Sequence, residues 1–197
     1  MKNITSTLGV VILLLSCSNS RAISSSNMDT PVNSNQLTDS VLQTLHNNND
    51  LIIGVAFENF AWGHNATYRV FAMKNDEWTA YTWYTNYNAV GVVPNVNPTV
   101  VSADTCKAVL NFLQENHVEK IRGDEGKPGC NDASKKCNIN DGGTWHLFWL
   151  TKKQMVMPSY YEPQFFEDCC PGNKDRRQFL DAVNKIVAVL DRNQKAR

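Results

Sequence analysis

Two of the four histidines in the sequence lie where an imidazole could take part in acid–base chemistry. His64 lies beside a predicted turn, and His146 lies within a predicted strand. An imidazole transfers protons well when a carboxylate holds its ring in position, and Glu58 and Asp141 are the carboxylates we consider first. One hypothesis is therefore a hydrolase that uses His64 or His146 with one of these carboxylates.

Other catalytic signatures are missing from the sequence. No serine or cysteine lies in a nucleophile elbow or a cysteine-protease context, and the ten glycines form neither a dinucleotide fingerprint nor a phosphate loop. A single strand histidine is most often structural, and His46 and His117 near helix ends are expected to be exposed. The catalytic residues thus stay unknown at this stage, no cofactor is expected, and the sequence favours a binding protein over an enzyme.

The cysteines predict disulfide bonds. Cys17 aside, five cysteines are available to the folded part, and five cannot all pair within one chain. The segment between Cys130 and Cys137 is short, polar and able to turn, so these two residues are the predicted pair. Cys106 lies on the apolar face of a predicted helix. It either reaches Cys169 or Cys170 or remains a buried free thiol, and the sequence leaves both outcomes open.

The spacing of the cysteines argues against a metal site. Structural zinc is held by cysteine pairs separated by about two to four residues, whereas six residues separate Cys130 from Cys137 and none separates Cys169 from Cys170. The segment 138–143 offers Asn and Asp side chains but has glycine at a ligand position of the calcium-loop pattern. A turn is the expected structure there, and no metal is expected.

Aromatic residues are concentrated in one predicted strand. Strand alternation places Tyr81 and Trp83 on one side and Trp78 and Tyr84 on the other. Because Trp and Tyr provide large contact areas at little entropic cost, one pair is predicted to be an exposed surface that binds a protein or a glycan. The alternative is that helices cover both faces of the sheet and the rings belong to the core.

Hydrophobic periodicity predicts the elements that position these residues. A helix capped by Ser34 or Asn35 carries Leu37, Val41 and Leu45, and strands are expected at 51–57, 67–73 and 77–84. An irregular connection is expected over 86–98, and a second helix follows a cap at Ser102.

The last third of the chain predicts a hairpin and a closing helix. Strands at 145–150 and 154–160 flank a tight turn, and Pro158 makes the second strand an edge strand or a bulged one. The final helix begins near Gly172 or Asn173. These elements predict an α+β fold with a mostly antiparallel sheet of about five strands and about three packed helices.

The first residues predict export. Lys2 precedes an apolar core at 8–15 that is too short to span a bilayer, as in a secretory leader. The sequence Leu14-Leu15-Ser16-Cys17 that follows resembles the lipobox of bacterial lipoproteins. This resemblance implies cleavage before Cys17 and attachment of lipid, including palmitate, to that cysteine. The alternative is an ordinary secreted protein cleaved after Ala22.

This interpretation divides the chain into a signal peptide at 1–16, a lipidated Cys17 with a flexible spacer at 17–34, and a single α+β domain at 35–197. The 19 basic and 19 acidic residues balance, which disfavours nucleic acid as a partner. The functional hypothesis is a binding or accessory module anchored to a membrane of the cell envelope by its lipid. The competing hypotheses are the hydrolase and a purely structural envelope protein.

Overall fold

The computed structural model describes residues 37–61, 63–89, 91–99, 101–124, 130 and 136–195. It has an α+β fold in which every strand pairing of the sheet is antiparallel. The sheet has seven strands, in the order β4-β3-β2-β1-β5-β6, and β7 also pairs with β5. The predicted fold class is confirmed, with two more strands and one more helix than expected.

The helices and strands have the following bounds. The helices are α1 (Ser40–Asn48), α2 (Ala103–Glu115), α3 (Pro163–Cys169) and α4 (Lys174–Lys195). The strands are β1 (Leu51–Asn59), β2 (Asn65–Lys74), β3 (Glu77–Asn86), β4 (Asn97–Thr99), β5 (Gly143–Thr151), β6 (Met155–Val156) and β7 (Ser159–Tyr161). A short 3₁₀ helix, Val118–Lys120, follows α2. Along the described helices, none combines the length and apolar character needed to cross a bilayer.

Strand β1 lies at the centre of the sheet between β2 and β5. Its first six residues, 51–56, are buried, as its continuous apolar sequence predicts for a strand covered on both faces. Helices α2 and α4 cover one face, where Val109 and Ile186 join a core with Ile53 and Val55. The strand therefore anchors both halves of the core.

Helix α1 crosses the opposite face diagonally. At its C-terminal end His46 makes a 2.9 Å hydrogen bond to the carbonyl of Thr151 on β5. At its N-terminal end Asp39 accepts a 2.8 Å hydrogen bond from Thr85 on β3. Leu42 packs between these points against the β-sheet core. Glu58 of β1 and His146 of β5 also lie on this second face.

Several predicted elements differ in extent from those observed. The cap of α1 is Asp39, whose carboxylate accepts from the amide of Leu42, so Leu37 precedes the helix; Ser34 and Asn35 lie outside the described residues. The cap at Ser102 and the start of the last helix are as predicted. Two short elements, β4 and α3, were not predicted, because segments this short carry little hydrophobic periodicity.

The interruption at Pro158 is as predicted. It divides the expected strand into β6 and β7, which both pair with β5 at the outer edge of the sheet. Pro158 has no amide to donate, and its carbonyl instead accepts a 3.0 Å hydrogen bond from the amide of Leu147.

The predicted disulfide pairing is wrong. Cys130 is bonded to Cys170, with Cα atoms 5.4 Å apart, and Cys137 is bonded to Cys169, with Cα atoms 6.2 Å apart. The C-terminal end of α3 places the adjacent residues Cys169 and Cys170 beside Cys137 and Cys130, and each forms one bond.

Cys106 is a buried free thiol, which is one of the two outcomes that the sequence left open, and it forms no bond to Cys169 or Cys170. It lies in the core beneath α2, facing the sheet rather than the end of α3. Burial raises the pKa of its thiol to about 11.

Candidate active site

Glu58 and His146 are brought together by the pairing of β1 with β5. In this register Glu58 lies opposite Thr144 and Ala56 lies opposite His146, so the two polar side chains are diagonal neighbours on the face that α1 crosses. Glu58 Oε2 and His146 Nε2 are 2.9 Å apart. Both residues belong to strands that are otherwise mostly apolar. The burial of those apolar neighbours holds the backbones of Glu58 and His146 in place.

His64 binds the other oxygen of the same carboxylate. Its Nε2 lies 2.5 Å from Glu58 Oε1. The turn between β1 and β2 carries His64 back over the strand, and Gly63 permits this with a φ of 118°. The side-chain amide of Asn65 donates a 2.8 Å hydrogen bond to the carbonyl of Gly63, which stabilises the turn.

Two aromatic rings hold the imidazole of His64. Phe60 stacks on one side with ring centroids 4.8 Å apart, and Tyr87 lies 4.4 Å away at a tilt of 35°. The backbone amide of Tyr87 also donates a 2.9 Å hydrogen bond to the carbonyl of His64. Ring and backbone are therefore fixed independently, while the His64 side chain stays 41% exposed.

Glu58 is held as a carboxylate. The hydrogen bond from His146 is the largest influence, and together with the bond from His64 it lowers the pKa of Glu58 below its ordinary value, although burial acts in the opposite direction. An ionised carboxylate only accepts hydrogen bonds, so Nε2 of each imidazole carries the proton. Whenever an imidazole bound in this way is uncharged, its Nδ1 carries the lone pair.

The free nitrogens define what the cluster can do. Within the part of the chain that the structure describes, no hydrogen-bond partner occupies Nδ1 of His64 or His146. A basic nitrogen with a carboxylate behind it is the arrangement of a general base, because the carboxylate stabilises the imidazolium that forms on protonation. The geometry thus provides two oriented bases around one anion.

A tyrosine pair borders the cluster. The hydroxyls of Tyr68 and Tyr87 are 2.6 Å apart, and Tyr68 stacks on Trp83 with ring centroids 4.5 Å apart. Burial is the main cause that raises the pKa of both tyrosines, so both hydroxyls keep their protons. This pair was not predicted from the sequence. The register of the β2–β3 hairpin sets Tyr68 opposite Trp83, whereas Tyr87 follows the end of β3, so strand alternation alone does not pair the two tyrosines.

The remaining histidines and Asp141 lie elsewhere. Asp141 is exposed in the turn before β5, with a left-handed φ of 62°, and is not a partner of either histidine. His117 is exposed as expected, and its Nδ1 lies 3.4 Å from Oε1 of Glu119. His46 was expected to be exposed but is buried, because the C-terminal end of α1 packs against β5.

The predicted aromatic surface does not form as a pair of exposed rings on either face. Trp83 is 3% exposed and Tyr81 is half-buried beside it, because α1 crosses their side of the sheet. On the other side Trp78 packs against the core under α2 and α4, and only Tyr84 is exposed, at 52%. The expectation that both members of one pair would be exposed is therefore wrong.

A cavity of about 600 Å³ lies at the sheet face opposite Glu58. The loop before β4 forms one wall, with Val92 and Val93 largely exposed, and Tyr84 lies beside them. Arg69 at the base makes a 2.9 Å ion pair with Asp191 of α4. The lining of the cavity is thus mainly apolar, and the guanidinium of Arg69 in it is paired with Asp191.

The cysteines are closer in space than their spacing in sequence indicates. The sulfur atoms of Cys130, Cys137 and Cys170 lie within 4.8 Å of one another, the one such group of potential metal ligands in the described chain. All three are in disulfide bonds, so none is a thiolate ligand.

Comparison with known proteins adds no assignment to this geometry. No protein-family model matches the sequence, and no curated protein is significantly similar to it.

Proposed function

We propose that the protein is a hydrolase in which Glu58, which is hydrogen-bonded to both imidazoles, orients His64 as the general base that activates water. The observation that carries the proposal is that one carboxylate accepts a hydrogen bond from Nε2 of each imidazole, at 2.5 and 2.9 Å. This arrangement leaves a basic Nδ1 on each ring. It also provides the negative charge that stabilises the ring once it has taken a proton.

Water is the proposed nucleophile. Among the described residues, no serine, threonine or cysteine side chain is hydrogen-bonded to either imidazole. A base without a side-chain nucleophile acts by removing a proton from water as the water attacks an electrophilic carbon or phosphorus. The proposed reaction class is therefore direct hydrolysis without a covalent enzyme intermediate.

His64 is the proposed principal base. Its side chain is 41% exposed, against 28% for His146, so it has better access to a substrate. Phe60 beside it is 55% exposed and provides an apolar contact next to the reacting bond. His146 then has a positioning role, because its hydrogen bond holds Glu58 in the orientation that serves His64.

The experiment is a turnover screen with matched variants. Wild-type protein is assayed on chromogenic carboxyl esters, phosphate esters, amides and glycosides, together with Glu58→Gln, His64→Asn and His117→Asn. We expect His64→Asn and Glu58→Gln to lower kcat/KM by about 10²- to 10⁴-fold on the accepted class. His117→Asn removes an exposed histidine outside the cluster and should leave kcat/KM unchanged. Equal activity of His64→Asn and wild type, or no turnover of any class by folded protein, would contradict the proposal.

A second candidate function is binding at the other face of the sheet. The exposed Tyr84, Val92 and Val93 around the 600 Å³ cavity support a module that docks a protein or a glycan. Binding of a glycan array by wild type but not by Tyr84→Ala, with Phe60→Ala as the control for an exposed ring elsewhere, would favour this function. Loss of binding in both variants would count against it.

The proposed location is the cell envelope, on the outer side of a membrane. The lipobox-like sequence before Cys17 supports a lipid anchor, and both disulfides fit an oxidising compartment. Residues 1–36 lie outside the described structure. The membrane is the proposed partner of the N-terminal segment, and the catalytic cluster belongs to the domain that follows it.

A further inference from the structure

The two disulfide bonds contact each other. Cys130 Sγ, bonded to Cys170, lies 3.3 Å from Cys137 Sγ, which is bonded to Cys169. The contact joins the two cysteines that both come from the 130–137 segment. A thiolate released from either bond would therefore already touch a sulfur of the other bond.

We propose that this cluster carries out internal thiol–disulfide exchange, in which two-electron reduction of either disulfide yields a Cys130–Cys137 bond and leaves Cys169 and Cys170 as a dithiol. The external reductant is a dithiol, either a small molecule or a protein. The two electrons enter once, and the exchange step itself is neither an oxidation nor a reduction of the cluster as a whole.

The first route begins at Cys137–Cys169. Both of its cysteines are partly exposed, whereas Cys170 of the other bond is buried. The external dithiol opens the bond and becomes a disulfide itself, giving two thiols in the protein. The Cys137 thiolate then attacks Cys130 Sγ, the Cys130–Cys137 bond forms, and Cys170 leaves as a thiolate that takes up a proton.

The second route begins at Cys130–Cys170 and gives the same product. Here reduction frees Cys130, whose thiolate attacks Cys137 Sγ across the same 3.3 Å contact. The Cys137–Cys169 bond breaks, and Cys169 leaves as a thiolate and is protonated. The contact therefore directs both routes to one two-electron-reduced species.

Loop length favours this product. The Cys130–Cys137 bond closes a loop over a sequence separation of 7, whereas the Cys130–Cys170 bond closes one of 40. Closing a shorter flexible loop costs less entropy. Cys169, which is partly exposed, then attacks a disulfide of a second molecule to form a mixed disulfide and release one thiol. Cys170 attacks Cys130, and the Cys137 thiolate that leaves attacks Cys169, which releases the second thiol of that molecule and restores both original bonds. The cluster would thus be a two-electron relay between a dithiol and a disulfide.

The test uses wild-type protein and one equivalent of dithiothreitol. Samples are quenched with acid over time, alkylated with N-ethylmaleimide and digested with trypsin under non-reducing conditions. Trypsin separates Cys130 in peptide 123–135, Cys137 in peptide 137–152, and both Cys169 and Cys170 in peptide 154–174. In untreated protein all three peptides are linked together.

The proposal predicts one major species with two new thiols, those of Cys169 and Cys170, in addition to the free thiol of Cys106. Peptide 123–135 is linked to peptide 137–152, and peptide 154–174 is free with two alkyl groups. The double variant Cys130→Ser/Cys170→Ser is the control, because opening its single bond should leave one alkyl group on peptide 137–152 and one on peptide 154–174. The proposal is overturned if peptide 154–174 stays linked in the partly reduced wild type. It is also overturned if only untouched and fully reduced molecules occur.

Discussion

Glu58 and His146 are 88 residues apart in the sequence, yet their side chains meet at 2.9 Å across the two central strands of the sheet. The same carboxylate accepts a hydrogen bond from His64 in the turn between β1 and β2. Glu58 therefore joins β1, β5 and the β1–β2 turn, and we expect it to stabilise the fold whether or not a substrate is present. Its effects on folding and on catalysis can be measured separately.

The first prediction concerns the pH dependence of stability. The pKa of Glu58 is lower in the folded protein than its ordinary value of 4.5. Its contribution is therefore fully present above pH 4.5 and is lost as the pH falls from there through the lower folded pKa. Denaturant unfolding at pH 7, 5, 4 and 3 should show that the unfolding free energy of wild type falls with pH in this range. The unfolding free energy of Glu58→Gln should fall less. At pH 7 we expect Glu58→Gln to cost about 2 kcal/mol, because neutral acceptors replace charged ones.

Glu115→Gln is the matched control for this experiment. Glu115 is an exposed residue at the end of α2, so its replacement should leave the unfolding free energy within about 0.5 kcal/mol of wild type at pH 7. A Glu58→Gln profile that runs parallel to wild type from pH 7 to pH 3 would argue against an ionised Glu58 in the fold.

The strands of the sheet follow well from the sequence, but the cluster follows only in part. Local alternation locates β1, β2, β3 and β5, and a tight turn sets the register of β2 with β3. Nothing local specifies that β5 pairs with β1, since that contact depends on the packing of the whole domain. The polar Glu58 and His146 within apolar strands were the available signal. The choice of Glu58 over Asp141 required the register.

The cysteines show the same limit. The proximity of Cys130 to Cys137 along the chain predicted a bond, and their sulfur atoms do meet, at 3.3 Å. The bonds themselves go to Cys170 and Cys169, because α3, which the sequence analysis did not predict, delivers two adjacent thiols to this point. Short elements that depend on tertiary packing are thus the part that the pattern of residues does not reveal.

The second prediction concerns Cys106. The thiol is fully buried and burial raises its pKa to about 11, so the native protein should not be alkylated there by iodoacetamide at pH 8. Cys106 should be alkylated once the protein is unfolded without reductant. Peptide mass mapping would identify the alkylated residue. Cys106→Ser places a hydroxyl in an apolar core, which should cost about 1–3 kcal/mol of unfolding free energy.

Cys106→Ala is the control for the loss of the thiol, because it introduces no polar group. It should be more stable than Cys106→Ser in denaturant unfolding. Rapid alkylation of Cys106 in the native state would show that α2 does not cover this position as described.

The third prediction concerns the membrane anchor. If Cys17 carries lipid, wild type should incorporate radiolabelled palmitate when expressed in a bacterium and should partition into the detergent phase of Triton X-114. Cys17→Ala should do neither, because the acyl chains supply the membrane affinity. Cys106→Ala is the control, since it also removes one cysteine. A mature wild type that begins at Ile23 and stays in the aqueous phase would instead favour cleavage after Ala22.

The fourth prediction separates two arginines that share one carboxylate. Arg176 is 3% exposed; its Nε donates to Glu167 at 3.1 Å and its Nη2 donates to the carbonyl of Cys170 at 2.6 Å. Arg177 also binds Glu167, at 3.2 Å, but its side chain is 59% exposed. Burial opposes the ionisation of Glu167, but its hydrogen bonds from Arg176, Gly172 and Arg177 keep its pKa below the ordinary value.

Removal of the carboxylate should therefore cost more than removal of the exposed arginine. We expect Glu167→Gln to lower the unfolding free energy by about 3 kcal/mol, because the buried guanidinium of Arg176 then donates to a neutral acceptor in place of the Glu167 carboxylate. Arg177→Ala should cost less than about 1 kcal/mol, because solvent screens the exposed pair. The unfolding free energies of both variants are to be measured by denaturant unfolding at pH 7 with the disulfides intact. Equal costs for the two variants would mean that the ion pair between Arg176 and Glu167 contributes no more than a surface pair.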